Sequence, residues 1–362
     1  MLYFLPIDSV EEAKNGDILM DKELEYKLLK IEENLQDHPF PPQLVIENTS
    51  RCDQQCIHCS HKELIRPKAQ MNRDLWNKIV EEVGRESPGT EIWPTFYGEA
   101  LVMGEEIWDR IDYASKVGCQ NIVLNSNGGL LLRKRHIERI LNSPLKRFII
   151  SLDGFSKETY EKIRYLGEWE RTYSGVEELL KQRAMRGQEY PLIICQFSVM
   201  EENEHEAEDF KAYWSSRGAE VKFRPKLEWT ATGSIRSNRI DHETEFRIAC
   251  PWGNNTMAIH QDGSAVACAV DYEGRHKVGN AQDVSVKDMW QRLEKNLRKP
   301  HREHCWNDIP EICKGCKDWQ TAGAEYEKKN LPGSRPFWYD PETTDFKVVK
   351  SSSTLEKETK NV

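Results

Sequence analysis

The sequence predicts an α/β protein: a partial (β/α)6 parallel barrel followed by a small C-terminal domain built on a β-hairpin and a helix. Three observations lead there. Between Leu44 and about Arg224, six short β-rich runs alternate with amphipathic helical patterns, the order expected of parallel βαβ units with right-handed crossovers. Six units are too few to close an eight-stranded barrel and enough for an open one. From about Arg247 the texture changes to short strands, one helix and a cysteine-rich loop.

In chain order, residues 1–42 form an acidic extension of helical character that ends at Pro39, Pro41 and Pro42. Barrel strands are expected at Leu44–Glu47, Glu91–Phe96, Asn121–Leu124, Phe148–Leu152, Leu192–Val199 and Glu220–Phe223. Helices are expected at Arg73–Val83, Glu105–Val117, Lys134–Leu141, Lys157–Arg183 and His205–Ser216. Beyond the core domain, placed at 43–240, two strands (Thr256–His260 and Ser264–Ala269) flank the turn Gln261-Asp262-Gly263, and a helix covers Ser285–Leu297. This second domain spans 241–335. The remaining 336–362 form a polar tail, expected to be partly disordered.

The chain has 362 residues, of which 38% are hydrophobic and 31% charged, with a net charge of −9. Such a length supports a substantial core without disulfide or metal staples. No run approaches the ~18 apolar residues of a membrane span, and the N-terminus lacks the order of a signal peptide. The acidic balance argues against broad binding to a phosphate backbone. A soluble, cytoplasmic protein with no nucleic-acid or membrane partner is expected.

Ten cysteines stand out, because close cysteine spacing in a cytosolic chain points to metal or redox chemistry before disulfides. Cys119 and Cys195 stand alone and read as small buried hydrophobes. Cys52, Cys56 and Cys59 lie within eight residues directly after the first strand. Three thiolates in such a loop can converge on a [4Fe–4S] cube and leave one iron open to an exogenous ligand. Zinc completed by His58 or His61 is the alternative, although its loops more often repeat a two-residue gap. A second set, Cys250, Cys268, Cys313 and Cys316, lies far downstream, with Cys305 left over. Four cysteines in two pairs would also suit zinc, but the long gap from Cys250 to Cys268 does not fit a zinc knuckle.

The run Cys52-Asp-Gln-Gln-Cys56-Ile-His-Cys59 resembles that of the radical S-adenosylmethionine (SAM) enzymes, and the resemblance covers residues 44–224. It implies that the open iron chelates SAM. Gly98-Glu99 after the second strand is similar to the family's G-E motif that holds the methionine ammonium, with Ala100 in place of the usual proline. Asn125 and Asn127 after the third strand, and Ser151 and Asp153 at the end of the fourth, resemble segments that meet the ribose and methionine ends of SAM. Arg164 matches an arginine used near the SAM carboxylate, Gln196 is a weaker match, and His58 stands where an aromatic lies near adenine. Each motif follows a successive strand, on the face where parallel barrels build active sites.

The downstream cysteines resemble the auxiliary-cluster domains called SPASM and twitch. Ala322 stands where the full form has a further cysteine, so one auxiliary [4Fe–4S] cluster on Cys250, Cys268, Cys313 and Cys316 is implied, and two clusters in all. The resemblance implies a 5′-deoxyadenosyl radical that abstracts hydrogen from carbon, with a flavodoxin- or ferredoxin-type electron donor. The single-cluster domain resembles that of twitch-type aminocyclitol dehydrogenases, and related domains serve sugar epimerases and peptide-modifying maturases. The short extension before the core is too small for a peptide-recognition module, which favours a small polar substrate. Arg224, Lys226 and Glu228 after the last strand are candidates for gripping it or accepting a proton, and Cys305 is the candidate hydrogen-atom donor of an epimerase.

Overall fold

The computed structural model describes residues 28–133, 135–227, 246–268 and 270–320. Six parallel strands pair in chain order: β1 (Gln43–Ile46), β2 (Glu91–Trp93), β3 (Asn121–Ser126), β4 (Arg147–Ser151), β5 (Leu192–Val199) and β6 (Glu220–Pro225). Every residue of β1 and β5 is buried, as in a parallel sheet covered on both faces. Helices Arg73–Glu86, Glu105–Lys116, His136–Asn142, Trp169–Met185 and Ala207–Ser216 lie along the crossovers. They bring Trp76, Trp108, Leu179 and Trp214 into one core with Ile46, Ile92 and Phe197. The partial (β/α)6 architecture is present.

The C-terminal hairpin continues this sheet instead of forming its own. β7 (Thr256–Ile259) pairs in parallel with β1, from Gln43 opposite Thr256 to Ile46 opposite Ile259. β8 (Ser264–Val266) and β9 (Lys277–Asn280) then add antiparallel strands. The resulting nine-stranded sheet has the order β9-β8-β7-β1-β2-β3-β4-β5-β6. A buried polar chain crosses the junction. Arg147 pairs with Glu91, Gln43 Nε2 donates to Glu91 at 2.6 Å, and Thr256 Oγ1 donates to Gln43 at 2.9 Å. The following helix, Val286–Leu293, runs on through a π-type stretch to Arg302. Its free N–H groups are capped by Ser285 and by Glu82 of the first crossover helix, which accepts from Val286 and Lys287 at 2.9 Å each.

One expected helix is broken. Lys157–Arg183 splits into Lys157–Ile163 and Trp169–Met185. Between them Arg164–Tyr165 pairs antiparallel with Gln55–Cys56, and Leu166 adopts φ of +68° just before Gly167. Apolar periodicity runs through the break, so the sequence reads as continuous; the pairing partner lies in the cysteine loop. Of the expected N-terminal extension, 1–27 lie outside the described residues and 28–33 are helical. The polar tail also lies outside them. Among the described residues, no helix is long and apolar enough to cross a membrane.

Candidate active site

A cavity of about 290 Å³ opens at the C-terminal ends of the barrel strands, and all seven cysteines of the two expected sets line it. The first set sits on the loop leaving β1. Ser50 is held by Ala69 and its carbonyl lies 2.7 Å from His61 Nε2. Gly98 packs directly beneath, since a Cβ there would stand 2.1 Å from the Thr49 carbonyl oxygen and 2.7 Å from that of Arg51. Only glycine fits so close to the loop. The Arg164 ladder then fixes Cys56.

Polar side chains follow the strand ends around the cavity. Glu99 accepts from Ser126 Oγ and the Leu101 N–H at 2.9 Å and from the Asn127 N–H at 2.7 Å. Burial, with Asp53 adding to it, still raises its carboxyl to about 7. Asn127 Nδ2 donates to Asp53 at 2.7 Å, which ties the third strand's loop to the residue after Cys52. Gln196 Nε2 donates to Ser151 Oγ at 3.1 Å, and Ser151 donates to Asn125 Oδ1 at 3.2 Å. Asp153, fully buried at φ +57°, accepts from Arg164 at 2.5 Å and from the Ser198 N–H at 2.7 Å. Burial opposes its charge, but Arg164 and His58 outweigh that and hold the carboxyl below the usual range. His58 Nε2 lies 3.3 Å from Asp153; burial lowers its pKa to about 4, so the imidazole is neutral at pH 7.

The auxiliary set is equally local in construction. Cys250 caps the short helix Pro251–Asn255, its Sγ accepting from the Gly253 N–H at 3.4 Å. Cys268 follows β8, and Arg247 binds the carbonyls of Cys313 and Lys314 at 2.6 and 3.1 Å. Burial, then the neighbouring thiols of Cys313, Cys250 and Cys316, push the Cys268 thiol well up. Burial likewise raises Cys56 and Cys313 to about 12. Buried thiols crowded in this way become thiolates only against a cationic centre. Among the described residues, no three His, Cys, Asp or Glu side chains are close enough for a single ion. All seven donors lining the cavity are free thiols, three of them in one loop, and such soft donor sets fit iron–sulfur clusters.

The remaining candidates separate. Arg224 lines the cavity. Lys226 is not in the lining, although its charge reaches His58, and Glu228 lies outside the described residues. Cys305 is exposed, with its thiol 3.6 Å from the Glu303 carbonyl and away from the cavity lining, which does not suit an internal hydrogen donor. The sequence reading missed Tyr97, a buried cavity residue whose phenol is pushed up by burial and then by Cys59 and Cys268, one thiol from each set. It also missed the buried pair of Glu47 and Arg66. Arg66 binds buried Glu47 through two 2.6 Å contacts, Gln261 at 2.7 Å and the Tyr272 carbonyl at 2.6 Å. A carboxylate ending an apolar strand was the available signal, since a buried charge requires a partner.

Comparison with known proteins agrees with this geometry. The family model of the Radical SAM superfamily matches residues 46–186, and that of the SPASM iron–sulfur cluster-binding domain matches residues 250–317. An AdoMet-dependent heme synthase of Methanosarcina barkeri is 29% identical over 143 residues, 39% of this chain and 40% of the relative. The match thus spans about two fifths of that protein's length. A GTP 3′,8-cyclase of Microcystis aeruginosa is 26% identical over 61% of this chain and 68% of its own length. Among solved structures, BtrN in complex with AdoMet and 2-DOIA superposes with a TM-score of 0.54 at 14% identity, covering 78% of this chain and 94% of BtrN. Streptococcus suis SuiB bound to S-adenosylmethionine gives 0.58 at 13% identity, covering 87% and 79%. These two likenesses show a shared fold.

Proposed function

From the premise that this chain is a radical SAM enzyme carrying a SPASM iron–sulfur domain, we propose that it oxidises a secondary alcohol of a small polar substrate, a sugar or aminocyclitol, to a ketone. SAM and two [4Fe–4S] clusters are the cofactors; when bound, they supply a carbon-centred radical and an electron acceptor. The observation that carries the reading is the shared cavity, which both cysteine sets line. A substrate held there would share one cavity with the residues of both sites.

The chain's own groups prepare that arrangement. Cys52, Cys56 and Cys59 would hold the first cluster, and Cys250, Cys268, Cys313 and Cys316 would hold the second. Glu99, Asn125, Asn127, Ser151 and Gln196 line the cavity and would orient SAM. Arg224 enters from the end of β6 and grips the substrate's polar edge. Trp93 and Phe96 form an apolar part of the lining and exclude water from the reacting carbon. Loss of one hydrogen atom, one proton and one electron from the carbinol balances as a two-electron oxidation. Epimerisation would require a hydrogen donor facing the cavity, and the exposed thiol of Cys305 lies outside it.

The test is anaerobic turnover of candidate sugars and aminocyclitols deuterated at the carbinol carbon. Deuterium should pass into 5′-deoxyadenosine while a ketone forms. A product that keeps its hydroxyl and gains one deuterium from heavy water would overturn the proposal in favour of epimerisation.

A further inference from the structure

Arg164 is committed in three directions at once. Its Nε donates to the Leu152 carbonyl at 3.1 Å, one terminal nitrogen donates to Asp153 at 2.5 Å, and the other lies 3.6 Å from Cys56 Sγ. The side chain is 5% exposed. Its approach to the sulfur is fixed by backbone, because Arg164 and Cys56 are opposite partners in a two-residue antiparallel ladder. That ladder exists only because the helix breaks at Ile163.

We propose that Arg164 is a positioning residue that sets the reduction potential of the first cluster by hydrogen-bonding the Cys56 thiolate, with Asp153 as the counter-charge that tempers it. The inference rests on Cys52, Cys56 and Cys59 holding that cluster and is independent of the alcohol-oxidation reading. Reduction adds one electron from an external donor and thus one negative charge. A desolvated guanidinium beside a ligand sulfur stabilises that added charge and raises the potential, and the Asp153 carboxylate on its other side opposes it. Hydrogen bonds to ligand sulfurs act in the same sense as the guanidinium charge.

The experiment is an anaerobic redox titration of the reconstituted full chain with dithionite, without SAM or substrate, following each cluster by its own EPR signal. Arg164→Gln should move the first cluster to lower potential, and Arg164→Lys should recover part of the shift. Asp153→Asn should move it the opposite way, since asparagine tolerates the left-handed backbone and leaves the cation unopposed. The auxiliary cluster should stay in place throughout and serves as the internal reference. Should Arg164→Gln fail to hold the first cluster, Asp153→Asn alone decides. An unmoved first cluster in Asp153→Asn, shifts of the same sign in Arg164→Gln and Asp153→Asn, or an equal shift of both clusters would overturn the proposal.

Discussion

Replacing Arg66 by methionine tests how much stability rests on the buried Glu47–Arg66 pair, whose guanidinium also binds Gln261 and the Tyr272 carbonyl. Glu47 is fully buried at the end of β1, and among the described residues Arg66 is the cation recorded against it. Methionine keeps much of the volume but leaves the carboxylate with the Gln261 N–H at 3.1 Å, and leaves the Tyr272 carbonyl without its guanidinium donor. Removing one partner of a buried pair costs about 3–5 kcal/mol. At the lower end, ~3 kcal/mol corresponds to a fall in Tm of roughly 6–12 °C for a domain of 150–250 residues, and to a smaller fall for a chain of 362. The assay is thermal and urea unfolding of wild type, Arg66→Met, Glu47→Gln and the double variant. The double variant should be more stable than Arg66→Met, because the uncompensated charge is gone, with a coupling of at least about 0.5 kcal/mol. The reasoning fails if Arg66→Met lies within about 0.5 kcal/mol of wild type, or if the double variant recovers nothing.

Three further outcomes follow from the site. Gly98→Ala should lower the iron content of the reconstituted protein as well as SAM binding, because its Cβ would collide with the Thr49 and Arg51 carbonyls that lead into Cys52; full iron with weak SAM binding would refute this. Changing Cys52, Cys56 and Cys59 together to alanine should remove about half of roughly eight irons per chain, measured by metal analysis, and stoichiometric zinc in wild type would contradict the two-cluster assignment. Cys305→Ser should keep most of the turnover, whereas Cys316→Ala should abolish product formation; the reverse pattern would place Cys305 in the chemistry.

Much of the site was legible because its parts are local. Three cysteines in one loop declare themselves by spacing, and Gly98-Glu99, Asn125, Ser151 and Gln196 each lie at or just beyond a strand that periodicity locates. The illegible parts depend on what the folded chain brings together. Nothing near Arg164 announces that Cys56 will draw it out of a helix. Glu47 and Arg66 acquire a common environment only when Gln261 and Tyr272 dock against them. Tyr97 gains significance only from standing near both Cys59 and Cys268. Cys305 looks like its neighbours in spacing, and only exposure separates it from them. The hairpin at Gln261-Asp262-Gly263 was visible as a hairpin, but its attachment to β1 was not.

That attachment governs the order in which the protein can be completed. Strand β1 is among the first described segments to leave the ribosome, yet its partner β7 begins only at Thr256. Until then the backbone edge of this wholly buried strand that β7 will cover has no strand partner among the described residues. The pairing is of very long sequence separation, the kind that slows folding and prolongs exposure of a sticky edge. A nascent chain halted before Thr256 is thus a half-finished sheet that invites association with other chains. Excising the residues from Thr256 onward to study the barrel alone would reproduce that vulnerable edge permanently, so the barrel and the hairpin that completes its sheet are co-dependent in biogenesis.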